Sequence, residues 1–212
     1  MASTIGINDN GVMQATRGAI FIGPAETLID KTSLSKFKLD AASVTVAASG
    51  SSAPTFVNMG HMSNDTLPEF SLSGGDATSL DTWMKAQFRT SYDATTGTVT
   101  MHSVQGDKGT LKTLYNAVDT GSGVGVAFSL EKTPINKSLF ILWEDTNISK
   151  RAGLLLPNVD IAFSSLPTLN QSAFNEFEAQ ANIKTSSKLP KDSAGKYCSV
   201  AVFDADDFTL SA

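Results

Sequence analysis

The sequence predicts a mainly β fold, a β-sandwich or barrel of two packed antiparallel sheets with one flanking α-helix. Short segments in which apolar and polar residues alternate recur along all 212 residues, and Gly, Pro, Ser and Asn separate them. The chain also holds 22 Thr and 12 Phe, and β-branched and aromatic residues favour pleated strands. One segment alone has helical periodicity, which is why one helix is expected.

The predicted strands either alternate or form short apolar runs bounded by turn residues. Alternation leaves one face of a strand buried and the other facing water or a partner. In chain order the predicted strands cover residues 17–24, 35–39, 43–47, 55–59, 68–73, 80–84, 87–92, 98–104, 124–131, 138–143, 149–156, 159–163, 174–184 and 197–203.

The helix is predicted over residues 107–118. Its apolar side chains, at i, i+3, i+4 and i+7, form the stripe of an amphipathic helix. Asp107 is expected to cap its N-terminus, because an Asp side chain accepts hydrogen bonds from the first free N–H groups. Gly121-Ser122-Gly123 is expected to terminate it.

The domain organisation follows from where the polar stretches lie. Residues 1–16 carry few hydrophobic side chains and are predicted to form an N-terminal arm, disordered or extended until a partner orders it. Residues 17–212 are predicted to form one β domain. Within it, the Ser/Gly-rich stretch at about 47–54 predicts a long flexible hairpin loop.

Composition and charge exclude several classes of protein. No apolar run approaches the roughly 20 residues of a membrane-spanning helix, and the first residues do not have the pattern of a signal peptide. The net charge is −5 and no basic stripe is present. Such a chain is poorly suited to binding nucleic acid, because cationic contacts with phosphate supply most of the affinity for nucleic acid.

The chain offers little that predicts chemistry. His61 and His102 are its two histidines, too few for a zinc site or a hydrolytic triad without help. Cys198 lies in an apolar strand and is expected to pack in the core. No catalytic residue, metal site or cofactor site is therefore predicted, and the chain is not expected to be an enzyme.

Three further patterns imitate functional sites. Gly121-Ser122-Gly123-Val124-Gly125 resembles a phosphate loop but follows a helix instead of preceding one, so a turn is predicted. The acidic residues at 204, 206 and 207 do not have the glycine and distal glutamate of a calcium loop, and a solvated or interface patch is expected. Glu176 and Glu178 share one strand face, as either an acid–base pair or a charged surface.

An ordered set of segments resembles the major tail tube proteins of bacteriophages with long, non-contractile tails, especially those of actinobacterial hosts. The set covers most of residues 17–185. Its members are FVNMGHMSNDTLPEF at 56–70, GGD at 74–76, LDTW at 80–83, FRT at 88–90, the helix from Asp107 to Tyr115, LLLPNV at 154–159 and FNEFE at 174–178.

The resemblance implies a structural virion protein. Its subunits would form stacked, hexameric rings around a hollow conduit for DNA delivery. The implied partners are further copies of the chain, the tape-measure protein, the tail terminator and tail tip proteins, and DNA in transient, non-specific passage, with no membrane partner. The protein would be assembled in the host cytoplasm and reside in the phage tail.

Two sets of residues are candidates for roles in such a tube. Asp160, Glu176 and Glu178 are predicted to face the lumen, where negative charge repels DNA phosphates; a solvated outer face is the alternative. Ala48, Ser49, Gly50, Ser51 and Ser52 are predicted to form an inter-ring loop, with an ordinary surface loop as the alternative.

Two other functions remain open at this point. A carbohydrate-binding or adhesion β-sandwich module would present exposed aromatic rings to sugars, whereas Trp83 and Trp143 lie in alternating strands and are expected to be buried. A hydrolase on a β scaffold would require Cys198 or a carboxylate pair in a pocket.

Overall fold

The computed structural model describes residues 6–7, 11–47 and 53–208, and these form a mainly β fold, as predicted. The strands are β1 (Arg17–Pro24), β2 (Ser43–Thr45), β3 (Thr55–Asn58), β4 (Glu69–Ser73), β5 (Ala77–Thr82), β6 (Lys85–Tyr92), β7 (Thr96–Ser103), β8 (Val118–Asp119), β9 (Val126–Ala127), β10 (Ile135–Asp145), β11 (Lys150–Phe163), β12 (Phe177–Ile183) and β13 (Ala201–Phe203). The helices are α1 (Lys31–Leu34) and α2 (Lys108–Leu114).

Nine of these strands form one antiparallel sheet in the described part of the chain. Its order is β2-β3-β1-β10-β11-β12-β7-β4, and β13 adds to β11. β11 pairs with β13 through its first half and with β12 through its last residues. The sheet folds over at this strand, so side chains of β1 and β10 pack against side chains of β7 and β12. The result is consistent with the predicted sandwich and is not a closed barrel.

Two apolar cores lie on opposite faces of the central strands β1 and β10. The first core lies between the two halves of the folded sheet and includes Ile20, Ile141, Val99 and Ala181. The second lies on the other face, under α1 and β2. Strands covered on both faces need apolar residues at every position, which explains the uninterrupted apolar runs in β1 and β10.

Four phenylalanines fill the second core. Phe21, Phe37, Phe56 and Phe140 are completely buried, and the rings of Phe37 and Phe140 are 4.5 Å apart between centroids. Full burial of each such side chain contributes about 1.5–3 kcal/mol. This cluster holds α1 and the following turn against β1 and β10.

Helix α2 begins as predicted and ends earlier. Asp107 accepts hydrogen bonds from Gly109 N at 2.7 Å and Thr110 N at 3.1 Å, which confirms the N-cap. The helix ends at Leu114, and Asn116 adopts a positive φ of 51°. Asn tolerates this left-handed conformation, so it ends the helix before Gly121 is reached.

The prediction of a strand at residues 35–39 is wrong. Asp30 caps α1, just before these residues, by accepting hydrogen bonds from Thr32 N and Ser33 N, and residues 35–39 follow the helix as turns and irregular chain. Leu34 and Phe37 are both buried, and their spacing of three is that of a helical turn. The alternation of Phe37 and Leu39 misled here, because both side chains reach the second core from an irregular segment that pairs with no strand.

Several strand boundaries also differ from prediction. The predicted strands at 149–156 and 159–163 form the single strand β11, with Pro157 inside it. Of the predicted strand at 124–131 only Val126–Ala127 forms a strand, and of that at 197–203 only Ala201–Phe203 does, while Tyr197 forms an isolated bridge with Lys191. The described residues contain no helix long and apolar enough to cross a bilayer.

The predicted arm and loop lie partly outside the described residues. The loop candidates Ala48, Ser49, Gly50, Ser51 and Ser52 all do. Near the end of the predicted arm, Gln14 N donates to Asp145 Oδ2 at 2.8 Å, and Thr16 N donates to the carbonyl oxygen of Glu144 at 3.0 Å. These bonds attach the chain to the end of β10 before β1 begins.

Candidate functional site

One face of the folded sheet carries mainly polar side chains and packs against neither core. Val99, Met101, Ala179 and Ala181 point into the first core, so the residues that alternate with them on β7 and β12 point outward. We call this the polar sheet face. Its members on β4, β7, β11 and β12 are Glu69, Ser71, Thr98, Thr100, His102, Asp160, Glu178, Gln180 and Asn182.

Asp160 lies on the polar sheet face within an ion pair. Its Oδ2 atom is 2.5 Å from Lys184 Nζ, and its Oδ1 atom accepts a hydrogen bond from Asn136 Nδ2 at 3.0 Å. The hydrogen bond from Lys184 lowers the pKa of the Asp160 carboxyl, despite partial desolvation. The carboxylate is therefore ionised near neutral pH, and its charge is balanced within the subunit.

Glu176 lies just before β12 and contacts both β7 and the segment that precedes β4. Its Oε1 atom accepts a hydrogen bond from Ser63 Oγ at 2.5 Å and from Thr66 Oγ1 at 3.4 Å. Its Oε2 atom lies 3.2 Å from the buried Nδ1 atom of His102, at ion-pair distance but without hydrogen-bond geometry. The Ser63 N–H donates to the carbonyl oxygen of His102 at 2.8 Å. The Glu176 carboxylate thus holds the segment that contains Ser63 and Thr66 against β7.

Glu178 lies directly opposite His102 across the strand pair β12 and β7. Its two carboxylate oxygens accept hydrogen bonds from Ser164 Oγ at 2.6 Å and Ser165 Oγ at 3.0 Å. The bond from Ser164 is the main cause that lowers the pKa of Glu178, and the nearby His102 and Lys132 side chains add to it. Both glutamates therefore lie beside His102 on the same side of the sheet.

The polar sheet face is hydroxyl-rich and weakly acidic. Its carboxylates are held by hydroxyl groups and by Lys184, an arrangement that fixes them in place. Among the described residues around it, Lys184 is already paired with Asp160. The exposed Lys132, whose charge also acts on Glu178, is a second cation beside this face. The carboxylates of the face outnumber these two lysines, which weakens the binding of a polyanion.

A hairpin formed by β5 and β6 projects from the body of the protein. We call residues 77–92 the projecting hairpin. Every residue of both strands is exposed. At its base, Gly74 and Gly75 adopt positive φ values of 82° and 78°, which other residues rarely reach.

The tip of the projecting hairpin carries two large apolar side chains. Trp83 and Met84 are essentially fully exposed, so the expectation that Trp83 is buried is wrong. Trp143, in contrast, is half-buried against the first core. Alternation in β5 suggested a covered face, but no second layer lies against the hairpin. Exposed apolar side chains of this size indicate a surface that meets a partner.

The main strand order of the folded sheet ends in β2 and β4, and each of these has one edge that pairs with no strand of the described residues. On β4, Phe70 lies opposite Val99, whose side chain is in the first core, and Leu72 lies opposite Gly97. Both Phe70 and Leu72 are nevertheless exposed, because the other half of the sheet does not reach them. Edges with unpaired N–H and C=O groups are templates for pairing with another chain.

The remaining predicted sites do not assemble into a centre. His61 is exposed, and Cys198 is half-buried outside both cores, so its predicted place in the core is wrong. Gly121–Gly125 forms the turn between β8 and β9, as predicted, and Asp204 and Asp207 join through hydrogen bonds in another turn. The described residues contain no cluster of three or more His, Cys, Asp or Glu that could hold a metal.

Sequence reasoning missed the projecting hairpin as a separate structure. The two glycines at 74 and 75 and the Asp93-Ala94 turn, which bound it, were visible signals. What the sequence could not show is that nothing packs against the strands between them.

A comparison with protein families relates the chain to a known group. A family model described as "Phage tail tube protein" matches residues 5–191. No match was found among curated proteins. The matched region includes the central strands of both cores, the polar sheet face and the projecting hairpin.

Proposed function

Because the chain belongs to the phage tail tube protein family, we propose that it is the repeating subunit of the tube. Proteins of this family are structural components of the virion tail. Copies close into hexameric rings, and the rings stack into a hollow conduit through which DNA is delivered. We further propose that the tail is long and non-contractile and that the phage infects an actinobacterial host.

The polar sheet face is the observation that carries the proposal, and we assign it to the lumen. One side of the strands β7 and β12 packs in the first core, while the other side presents hydroxyl, amide and fixed carboxylate groups. Asp160, Glu176 and Glu178 therefore face passing DNA. The two glutamates repel the phosphates and Asp160 neutralises Lys184, so a polyanion slides without binding.

The two free edges of the sheet support ring closure. β2 and β4 lie at opposite ends of the strand order, so an edge of one copy can pair with a different edge of the next. A contact between unlike surfaces of identical subunits is heterologous and closes into a ring when the rotation permits. Pairing across the ring also removes the aggregation hazard of a free edge.

The Ser/Gly-rich loop of residues 48–52 remains our candidate for a contact between rings, together with the N-terminal arm. In the sequence, residues 48–52 lie between β2 and β3, and β2 is at one end of the strand order. Segments that order only on docking delay premature polymerisation of free subunits.

The partners follow from the position of such a subunit in the particle. We propose contacts with the tape-measure protein inside the tube and with the tail terminator and tip proteins at its ends. DNA passes transiently and without sequence preference. Assembly takes place in the host cytoplasm, and the role is structural, without catalysis.

Electron microscopy of the purified protein, with chemical labelling, tests the proposal. We expect rings or tubes, and we expect Asn182→Cys in a Cys198→Ser background to react with a bulky maleimide polymer in subunits but not in tubes. Ser122→Cys, in the exposed turn between β8 and β9, is the matched control. Particles that stay monomeric at high concentration, or tubes in which Asn182→Cys reacts as fast as in subunits, would contradict it.

A second candidate function, a carbohydrate-binding module, is favoured by the exposed indole of Trp83. Aromatic rings on a surface stack on sugars. Binding of the monomer to a glycan array, abolished by Trp83→Ser, would support this function over assembly.

A further inference from the structure

We propose that the tip of the projecting hairpin of one subunit docks into an apolar groove on a second subunit, so that successive copies join head to tail. This inference rests on the proposed function, because it names the contact by which copies stack. The groove lies between β1 and the segment that leads into β4. It has a volume of about 290 Å³ and is lined by Ile20, Leu67, Phe70, Ile141, Trp143 and Leu154, among others.

The hairpin has the features of a segment that is completed by a partner. Trp83 and Met84 are exposed together at its tip, and Leu80, Phe88 and Tyr92 add exposed apolar surface along its two strands. A two-stranded hairpin with no layer against it is marginally stable in water. Burial of its tip in an apolar site would stabilise both the hairpin and the contact.

The groove has the complementary property. Its floor, Ile20 and Ile141, belongs to the first core, while Leu67 and Phe70 on its wall are about half exposed. The apolar interior is therefore open to solvent at this point. A volume of about 290 Å³ equals that of about ten water molecules at roughly 30 Å³ each, so an indole ring fits the same space.

Other large cavities of the described chain are less suitable for an apolar tip. The cavity beside α2 is lined by Asp107, Lys112 and Lys137 among other residues. The one near the His61 loop is lined by His61, Asp65 and Glu176 among others. Burial of an apolar group against charged side chains would desolvate them without new hydrogen bonds, which is unfavourable. The groove is the better match in chemistry.

The position of the two surfaces in the chain makes the contact intermolecular. Leu67 and Phe70 of the groove lie near the first residue of β4, whereas the projecting hairpin begins after the last residue of β4, Ser73. The tip is fully exposed, so the hairpin does not occupy the groove of its own subunit. Separate donor and acceptor surfaces on one molecule produce heterologous contacts that repeat from copy to copy, as an axial stack requires.

Charge supports the same pairing. Arg17 stands at the rim of the groove, and Asp81 lies two residues before Trp83 on the hairpin. Neither side chain forms an ion pair within the described residues. Docking brings these opposite charges to the same border, where partial desolvation strengthens their attraction.

The first test removes the apolar tip. We expect the double variant Trp83→Ser/Met84→Ser to raise the protein concentration needed for tube growth by at least about tenfold, equivalent to about 1.4 kcal/mol per contact. Val124→Ser, which removes an equally exposed apolar side chain from another turn, is the control and should assemble as the wild type does. Leu67→Asp, on the groove wall, should match the tip variant.

The second test locates the contact. In a Cys198→Ser background, the double variant Leu67→Cys/Met84→Cys should form a ladder of covalent oligomers on mild oxidation of assembled protein. An equal mixture of the two single-cysteine variants should stop at dimers, because each copy then carries one reactive end. Neither single variant alone should cross-link between the hairpin and the groove.

The outcomes separate the docking from the function on which it rests. Tubes that form equally well from the tip variant, with no ladder from the cysteine pair, would overturn the docking and leave the tube function standing. Wild-type protein that forms neither rings nor tubes would overturn both. Loss of glycan binding in the tip variant, with normal tubes, would assign the tip to a sugar ligand and also overturn the docking.

Discussion

The Ser138 hydroxyl oxygen lies 2.7 Å from the carbonyl oxygen of Pro157, and these two residues mark the point where neighbouring strands bend together. Pro157 has no N–H for the ladder, and the register of β10 against β11 shifts between Lys137 and Leu139. The fully buried Ser138 oxygen is also 2.8 Å from the Pro24 carbonyl oxygen and accepts a hydrogen bond from Thr27 N. The Ser138 hydroxyl thus shares the Pro157 and Pro24 carbonyl oxygens with Glu26 N and Thr27 Oγ1, and it supplies the acceptor for Thr27 N.

We expect Ser138→Ala to lower the free energy of unfolding by about 1–3 kcal/mol, because the buried Thr27 N–H loses its acceptor. The carbonyl oxygens of Pro157 and Pro24 keep Glu26 N and Thr27 Oγ1 as donors. Urea denaturation followed by circular dichroism measures the change. Ser122→Ala, in an exposed turn, serves as the control. A Ser138→Ala protein as stable as the control would show that the bend does not depend on this hydroxyl.

The aromatic cluster of the second core predicts a large effect of truncation. We expect Phe37→Ala to destabilise the protein by about 3–5 kcal/mol, because it removes a fully buried ring and leaves a cavity. Phe88→Ala removes the same ring from the exposed projecting hairpin and should change the unfolding free energy of the subunit by less than about 0.5 kcal/mol. Equal effects of the two substitutions in the same denaturation experiment would contradict the burial pattern.

The N-cap of α2 predicts a smaller and chemically specific effect. Asp107→Ala should cost about 1 kcal/mol, because Gly109 N and Thr110 N lose their acceptor. Asp107→Asn keeps a side-chain oxygen at the same position and should retain most of the stability. Thermal unfolding distinguishes them, and a similar loss in both variants would indicate that charge, not capping, matters here.

The carboxylate of Glu178 predicts how stability depends on pH. Its pKa is lowered in the folded protein, chiefly by the hydrogen bond from Ser164. A lowered folded-state pKa contributes stability above the ordinary value of about 4.3, and this contribution is lost as the pH falls through the folded-state pKa. We expect Glu178→Gln to flatten the decline of melting temperature below about pH 4.3.

Ser164→Ala tests the cause of that shift. It removes the largest contribution to the lowered pKa, so the decline of stability below about pH 4.3 should be smaller than in the wild type and should end at a higher pH. Ser172→Ala, at an exposed position away from Glu178, is the control. Identical pH profiles for Ser164→Ala and the wild type would show that another group holds the carboxylate.

Local patterns were enough to predict the fold class and several elements. Alternation identified the strand that became β7, because half-buried strands need a period of two whatever they pair with. Asp107 was predicted to cap its helix, because capping depends on residues two and three positions away. The same local character placed Glu176 and Glu178 on one side of the sheet.

Longer-range relationships lay beyond those patterns. The prediction that Trp83 is buried was wrong, because burial depends on whether another layer covers the strand, and residues distant in sequence decide that. The break expected near Pro157 became a bend within one strand, because Ser138 and Thr27 lie against it. Periodicity records which side of an element is apolar. The tertiary structure decides which surfaces remain exposed to another molecule, because segments distant in sequence cover the others.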